Sequence, residues 1–155
     1  MKLAENLYYV GVNDRSKDLF ENMLPLPYGV SYNSFLLVDD KVALIDTVEA
    51  PFVEQQLETI QRILNGRLVD YLIVNHMEPD HSSGIQALRL LYPQVQIVGN
   101  AKTLAMLQGY YGISDGVYEV KEGSELALGK RTLRFYMTPM VHWPEVMMAY
   151  DIENH

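Results

Sequence analysis

The chain has 155 residues, with 12 Lys and Arg against 20 Asp and Glu, a formal net charge of −8, and no Cys. This length suits one globular domain with a real core and leaves no room for two domains of ordinary size. The acidic balance argues against a nucleic-acid partner, because nucleic-acid binding depends on clustered Lys and Arg. Without Cys there is no disulfide framework, thiolate metal site or thiol nucleophile, so any metal must be held by His, Asp or Glu.

The chain also lacks the patterns of secreted and membrane proteins. Residues 1–6 contain no apolar signal core, and the longest apolar runs, such as residues 71–74, are far too short to span a bilayer. We therefore expect a cytoplasmic protein with no membrane partner.

Hydrophobic periodicity in the first two thirds of the chain predicts alternating strands and helices. The expected order is a hairpin of residues 33–39 and 42–46, a helix from Pro51 to Gly66, a central strand at 70–75, a helix that opens with a serine cap in residues 82–84 and is ended by Pro93, a strand at 95–99, and a helix capped by Asn100 that ends at Gly109 or Gly112. The continuous apolar run at 70–75 is typical of a strand that is covered on both faces.

Short apolar runs separated by polar turns follow. Residues 117–120, 125–128 and 132–137 predict an antiparallel meander, and a further apolar run occupies 146–150. The whole pattern predicts a layered α/β domain, in which functional loops follow the carboxyl ends of strands.

One such loop contains four potential metal ligands in six residues. His76-Met-Glu-Pro-Asp-His81 comes directly after the predicted central strand. In an extended segment His76 and Glu78 face the same side, while Asp80 and His81, beyond the stiff Pro79, can turn toward a second ion. Imidazole mixed with carboxylate and no sulfur favours iron or manganese. The alternative is a solvated acidic turn that happens to contain two histidines.

A further histidine, His142, lies in the segment of residues 140–144. It can complete the coordination of the first ion. The alternative is a lone His that is satisfied in the core or exposed beside Trp143.

The hexapeptide resembles the His-x-Glu-x-Asp-His signature of the flavodiiron proteins, a branch of the metallo-β-lactamase superfamily. Residues 25–33, 42–47 and 142–145 are similar to stretches of that family in the same order, so the resemblance covers essentially the whole chain. Hydrolytic relatives usually have His-x-His-x-Asp-His, and here Glu78 stands in place of their second His. The resemblance implies an α/β fold, the metallo-β-lactamase-like αββα sandwich, of which residues 1–155 are the first and incomplete part.

The resemblance also implies roles for individual residues. His76, Glu78 and His142 are expected to bind one iron, and Asp80 and His81 are candidate ligands of the other. Asp46 is expected to support the ligand loop by hydrogen bonds, the alternative being a turn residue that caps the next helix. Trp143, Tyr32 and Tyr28 are candidates to line a cavity at the irons, the alternative being ordinary core positions.

Proteins of this family reduce dioxygen to water or nitric oxide to nitrous oxide at a non-haem diiron site, with electrons from FMN in a following flavodoxin-like domain. The carboxylate that bridges the irons and a last histidine are expected beyond His155, because Asp151 and His155 fall where the family has a turn that points away from the site. The flavodoxin-like domain is absent from this sequence. The isolated chain is therefore expected to be inactive and to bind no FMN by itself.

The resemblance implies several partners. A half sandwich leaves a sheet face uncovered, so we expect the rest of the domain, a companion chain or a second copy to cover it. A homo-oligomer is expected for the complete protein, and rubredoxin or a flavin reductase is the expected type of electron donor. Two other functions remain open: a hydrolase of the same superfamily that uses a metal-bound hydroxide, against which Glu78 counts, and a non-catalytic metal-binding or structural fragment.

Overall fold

The structure is a computed structural model that describes residues 1–154. The strands are β1 Lys2–Ala4, β2 Leu7–Tyr9, β3 Val12–Asp14, β4 Leu19–Phe20, β5 Leu24–Pro25, β6 Val30–Tyr32, β7 Phe35–Val38, β8 Val42–Ile45, β9 Tyr71–Ile73, β10 Gln96–Gly99, β11 Val117–Glu119, β12 Glu125–Ala127, β13 Thr132–Met137 and β14 Met147–Asp151. The helices are α1 Val53–Leu64, which follows a 3-10 turn at Ala50–Phe52, α2 Pro79–Ser82, α3 Ile85–Leu91 and α4 Ala101–Tyr111.

A seven-stranded mixed sheet is the centre of the fold. Its strand order is β1-β2-β7-β8-β9-β10-β11, with β8 to β11 parallel and the others antiparallel. The predicted hairpin is confirmed as β7 and β8, and the predicted central strand as β9. Helices α1, α3 and α4 cover one face, where the predicted stripe of α1 buries Ile60 and Leu64 against β9 and its neighbours. Leu72 of β9 is fully buried in this layer.

A second, three-stranded antiparallel sheet of β12, β13 and β14 packs on the other face. The core between the two sheets contains Leu37, Ala43, Ile73 and Val98 from the large sheet and Leu126, Leu133, Phe135 and Met147 from the small one. The layers are thus helix, sheet and sheet, which confirms the α/β class. Among residues 1–154, no helix covers the outer face of the small sheet, where Met148 is 57% exposed.

The prediction that residues 117–120 begin the meander is wrong. These residues form β11, which pairs in parallel with β10 through Ile97 and Val117. A helix between two strands allows a parallel crossover, and α4 provides it. The chain crosses to the small sheet only at the turn around Gly123, so the antiparallel meander consists of β12, β13 and β14.

The prediction of a serine cap in residues 82–84 is also wrong. Ser82 is the last residue of α2, and its hydroxyl donates to Met77 O at 2.8 Å. Helix α3 begins after Gly84 instead, which has no side chain to cap it. A Cβ on Gly84 would lie 2.8 Å from Thr47 Cβ, so only glycine allows this close approach.

The predicted cap of α4 is confirmed. Asn100 Oδ1 accepts hydrogen bonds from Lys102 N and Thr103 N, and the helix ends at Gly112 in the left-handed conformation (φ 67°). Of the helices in residues 1–154, none has the length and apolar character needed to cross a membrane.

Candidate metal centre

Three strand ends meet at the hexapeptide. It follows β9, which lies between β8 and β10 in the large sheet, and begins directly after Asn75. Asn75 N donates to Asp46 Oδ1 at 2.8 Å, and Met147 N donates to Asn75 O at 3.1 Å. The end of β8, the end of β9 and the start of β14 are therefore joined at one point, as expected for functional loops of an α/β sheet.

Three of the five predicted ligands meet at this point. His76 Nε2 lies 3.0 Å from Glu78 Oε2 and 3.1 Å from His142 Nε2, and His142 Nε2 lies 3.1 Å from Glu78 Oε2. The three atoms form a nearly equilateral triangle. His76 and Glu78 are buried, whereas the His142 side chain is 66% exposed. His142 is exposed beside Trp143, with ring centroids 6.2 Å apart, but it is not a lone His, because it contacts both His76 and Glu78.

The size of this triangle suits three ligands on one face of an octahedron. With metal–ligand bonds of about 2.1 Å, ligands at right angles lie about 3.0 Å apart, whereas tetrahedral ligands lie about 3.4 Å apart. Two imidazoles and one carboxylate on one face are the ligand set of non-haem iron(II) enzymes, with further positions open. The donor set and its spacing would thus allow one divalent ion to contact all three residues, and two imidazoles with one carboxylate fit iron(II).

Asp80 and His81 lie on the single turn α2 beside this triangle. Asp80 Oδ1 is buried and has no hydrogen-bond partner among the described residues. Burial raises the pKa of Asp80 above its usual value, with a smaller contribution from Glu78. His81 Nε2 is 3.7 Å from Asp80 Oδ2, and the His81 ring is 5.3 Å from that of His76. A buried carboxylate oxygen needs a partner, and a second cation bound beside Asp80 would provide one.

Asp46 is in contact with both parts of this centre. Its Oδ1 accepts from Asn75 N, and its Oδ2 lies 3.3 Å from His81 Nδ1. Burial alone lowers the pKa of His81, but Asp46 outweighs this effect and raises the pKa above its usual value. The Asp46 side chain does not cap the following 3-10 turn, because the residue before that turn is Glu49.

Thr47 attaches α2 to the large sheet. Thr47 N and Thr47 Oγ1 both donate to His81 O, at 2.7 and 2.8 Å, and Gly84 N donates to Thr47 Oγ1 at 3.0 Å. These bonds place Asp80 and His81 relative to the strand that ends at Asp46.

Of the three aromatic residues predicted to line a cavity, only Trp143 contacts the ligands. Its ring is edge-on to His76, with centroids 5.2 Å apart. Tyr28 is 92% exposed, and Tyr32 is buried in a separate cluster with Val12 and Val48. Tyr32 thus takes the alternative role of an ordinary core position, and Tyr28 lies neither at the ligands nor in a core, because residue type alone does not say which environment a side chain enters.

Asp151 lies at the far end of β14 from the centre, paired with Arg131. The expectation that it does not substitute for a ligand agrees with this placement. His155, the other candidate, lies outside the described residues.

A small cavity of about 160 Å³ opens beside the triangle. It lies between Glu78 and Asp80 on one side and Lys17, Phe20 and Glu49 on the other. Lys17 Nζ is 2.6 Å from Glu49 Oε1, so this ion pair forms the opposite wall. The cavity has room for a diatomic molecule or a few waters.

Glu145 belongs to the centre, and sequence reasoning assigned it no role. It is fully buried, and its Oε1 lies 2.8 Å from His76 Nδ1 and accepts from Met77 N at 2.9 Å. The available signal was a glutamate between Pro144 and an apolar strand, a poor place for a solvated charge. Nothing local in the sequence links that position to His76.

Residues 30–155 match the family described as ODP family beta lactamase. The chain is 36% identical to the nitric oxide reductase of Moorella thermoacetica over 154 residues, which are 98% of this chain and 39% of that protein. Its fold is similar to that of the rubredoxin oxygen:oxidoreductase of Desulfovibrio gigas, with a TM-score of 0.92, 32% identity, and 97% of this chain and 38% of that one covered. It is also similar to the flavodiiron protein of Giardia intestinalis, with a TM-score of 0.89, 29% identity, and coverage of 97% and 37%. The chain thus spans less than two fifths of the length of these relatives.

Proposed function

This chain belongs to the ODP family of beta-lactamase-like domains and matches the metallo-β-lactamase-like domain of flavodiiron proteins. From that premise we propose that it provides iron ligands of a non-haem diiron site. The site would serve an oxidoreductase that reduces dioxygen, nitric oxide or both. Relatives are named both as a nitric oxide reductase and as a rubredoxin-oxygen oxidoreductase. Both substrates are neutral diatomics, which need no charged recognition site.

The triangle of His76 Nε2, Glu78 Oε2 and His142 Nε2 is the observation that supports this proposal most directly. In the proposal these three residues would hold one iron, which would bind the diatomic substrate. The 160 Å³ cavity beside Glu78 provides a space from which such a molecule reaches the site. Iron supplies the electrons that the diatomic accepts, and the chain's residues hold the iron and shape the approach.

Asp80 and His81 are proposed to face the second iron. The buried, unpartnered Oδ1 of Asp80 supports this role, and the carboxylates of Asp46 and Asp80 lie on opposite ring nitrogens of His81, at 3.3 and 3.7 Å. In the proposal a bridging carboxylate and a further histidine come from sequence outside these residues, and FMN and its domain are likewise supplied by the longer protein. The electron donor, such as rubredoxin or a flavin reductase, would then reduce that flavin.

Cobalt(II) titration followed by visible absorption tests the ligand set, because weak d–d bands indicate six-coordinate cobalt and strong ones tetrahedral cobalt. We expect one site with weak bands, and we expect iron(II) to compete for it under anaerobic conditions. Replacement of Glu78 by Gln should abolish this site, while replacement of the more remote Glu58 should not change it. Failure of the chain to bind any divalent metal under these conditions would contradict the proposal.

We further propose that the isolated chain does not turn over. Oxygen consumption with a chemically reduced donor should equal that of the buffer, even after iron is added. A rate above that of a His76→Ala variant would contradict this part and leave the ligand set standing.

The outer face of the small sheet supports a last proposal, that further polypeptide covers it. Tyr136 and Met148 are exposed there, at 37% and 57%. We expect this chain alone to dimerise or to associate with the rest of its domain. Light scattering that shows a monodisperse monomer at all concentrations would contradict this expectation.

A further inference from the structure

Glu145 is a charged side chain in a fully buried position. It is 0% exposed, and its contacts lie on one oxygen only, since Oε2 is buried and has no hydrogen-bond partner among residues 1–154. Burial of a carboxylate is costly unless hydrogen bonds compensate for the lost water. The two contacts of Oε1, to Met77 N and His76 Nδ1, are therefore the ones that stabilise Glu145 in this position.

The contact to Met77 favours one placement of the His76 proton. A backbone N–H can only donate, so Oε1 acts as an acceptor toward Met77. The same oxygen, 2.8 Å from His76 Nδ1, then accepts a hydrogen bond from that ring nitrogen as well. A neutral His76 with its proton on Nδ1 has its lone pair on Nε2, the atom that points at Glu78 Oε2 and His142 Nε2.

The backbone of Glu145 is itself held in place. Asn100 Nδ2 donates to Glu145 O, while Asn100 Oδ1 caps α4. Lys102 Nζ also donates to Pro144 O at 3.2 Å. The amino end of α4 thus attaches the 142–146 loop to the helical layer, and the loop presents Glu145 inward and His142 outward.

From these contacts we infer that Glu145 is a positioning residue, which keeps His76 in the Nδ1–H tautomer and its Nε2 available to a metal ion. The inference rests on the proposed function, since it says how one ligand of that site is prepared. Supporting residues of this kind typically change metal affinity by about 10–100-fold. Trp143 also restrains the His76 ring by its edge-on contact, but an indole in that position does not select a tautomer.

Two variants of Glu145 separate positioning from charge. Glu145→Gln keeps an oxygen that accepts from both Met77 N and His76 Nδ1, and Glu145→Met fills a similar volume with no such acceptor. The tautomer of His76 in metal-free protein is read from long-range ¹⁵N–¹H correlations at mildly alkaline pH. Cobalt(II) affinity is measured by competition with a chelator. Phe135→Ala serves as a control that lowers stability without touching His76.

We expect the Nδ1–H tautomer in the wild type and in Glu145→Gln, and its loss in Glu145→Met. Cobalt affinity should fall by about 10–100-fold in Glu145→Met and by less in Glu145→Gln. Phe135→Ala should change neither quantity, although its unfolding midpoint falls.

Two results would overturn the inference. One is a Glu145→Met protein with unchanged tautomer and affinity. The other is a Glu145→Gln protein that loses as much affinity as Glu145→Met while it keeps the Nδ1–H tautomer, since charge rather than positioning would then be responsible. If Glu145→Met does not fold, loss of the tautomer in Glu145→Gln overturns the inference and its retention supports it. A wild type that shows the tautomer but binds no metal contradicts the proposed function and leaves the tautomer assignment intact.

Discussion

His142 Nε2 lies 3.1 Å from His76 Nε2, although 66 residues separate the two histidines in the chain. The contact depends on the hydrogen bond from Met147 N to Asn75 O, which places the start of β14 beside the loop after β9. Two ring nitrogens at this distance need a proton or a cation between them, because two lone pairs repel each other.

Replacement of His142 by Ala should abolish tight cobalt(II) or iron(II) binding and leave the fold intact. The side chain is 66% exposed, so its removal costs little core packing. We expect an affinity loss larger than the roughly 100-fold that removal of a supporting residue causes. Met140→Ala, a variant of a 70% exposed residue in the same loop, is the control and should bind metal like the wild type. Equal metal affinity in the two variants would contradict the ligand role of His142.

Gly84→Ala should destabilise the chain by about 1–3 kcal/mol, because the new Cβ would lie 2.8 Å from Thr47 Cβ. The displaced Thr47 also holds His81 O, so the turn that bears Asp80 should loosen with it. Gly109→Ala is a matched control in α4, where a Cβ meets nothing within 4 Å. This control should stabilise the helix by about 0.5–1 kcal/mol. Urea denaturation measures both changes. A Gly84→Ala variant with unchanged free energy of unfolding would contradict the prediction and show that α3 shifts freely away from Thr47.

Tyr32→Phe should destabilise the chain by about 1.5–3 kcal/mol. The Tyr32 hydroxyl donates to Asp14 Oδ2 at 3.0 Å and is also in hydrogen-bond contact with Glu49. Burial and these two carboxylates raise the pKa of Tyr32 well above its ordinary value, so the hydroxyl keeps its proton. Removing the hydroxyl leaves Asp14 Oδ2 without this donor and poorly solvated. A buried acceptor left unsatisfied costs more free energy than the net contribution of an ordinary hydrogen bond. Tyr28→Phe, at a 92% exposed residue, should be neutral in the same urea measurement.

Asp14 should make stability depend on acid pH. Burial alone raises its pKa, but hydrogen bonds from Ser16 and Tyr32 outweigh burial and hold the pKa below the usual 3.8. A lowered pKa in the folded state means that Asp14 stabilises the fold above the unfolded-state pKa, and that this contribution disappears as pH falls through the folded-state pKa. We expect Asp14→Asn to be less stable than the wild type at neutral pH, and the difference to close in acid.

The measurement is the urea midpoint as a function of pH. Asp18→Asn, at an exposed position four residues along, is the control and should follow the wild-type curve. A constant difference between Asp14→Asn and the wild type down to the most acidic pH would contradict the prediction.

Phe135→Ala should cost about 3–5 kcal/mol, since the ring is fully buried between the two sheets. Tyr136→Ala, the next residue on the opposite face of β13, should cost much less in the isolated chain. If the outer face is covered in the longer protein, Tyr136→Ala should become more costly there. Thermal unfolding of both variants in both contexts tests this, and equal costs for the two residues in the isolated chain would contradict the assignment of faces.

Periodicity was sufficient for the elements whose signal is local. The stripe of α1, the Asn100 cap with Gly112, and the apolar run of β9 each reside in a few neighbouring residues, and all three were predicted correctly. The partner of a strand is not local. The apolar pattern of residues 117–119 suits a strand that pairs with β10 as well as one that pairs with β12. The prediction assigned them to the wrong sheet, because this pattern gives neither the register nor the direction of pairing.

The candidate site likewise has residues that the local sequence indicates and contacts that only the tertiary structure shows. His76, Glu78, Asp80 and His81 lie within six residues, so the sequence by itself determined that four ligand-type side chains follow a buried strand. Because the sequence contains no Cys, the donors that it offers are nitrogen and oxygen. Only the tertiary structure decided that Glu145 reaches His76 across 69 residues, that Asp46 faces His81, and that Tyr32 enters a different core. The physical reason is that these contacts depend on which strand ends meet at one edge of the sheet, and that packing of distant segments, rather than local conformational preference, brings those ends together.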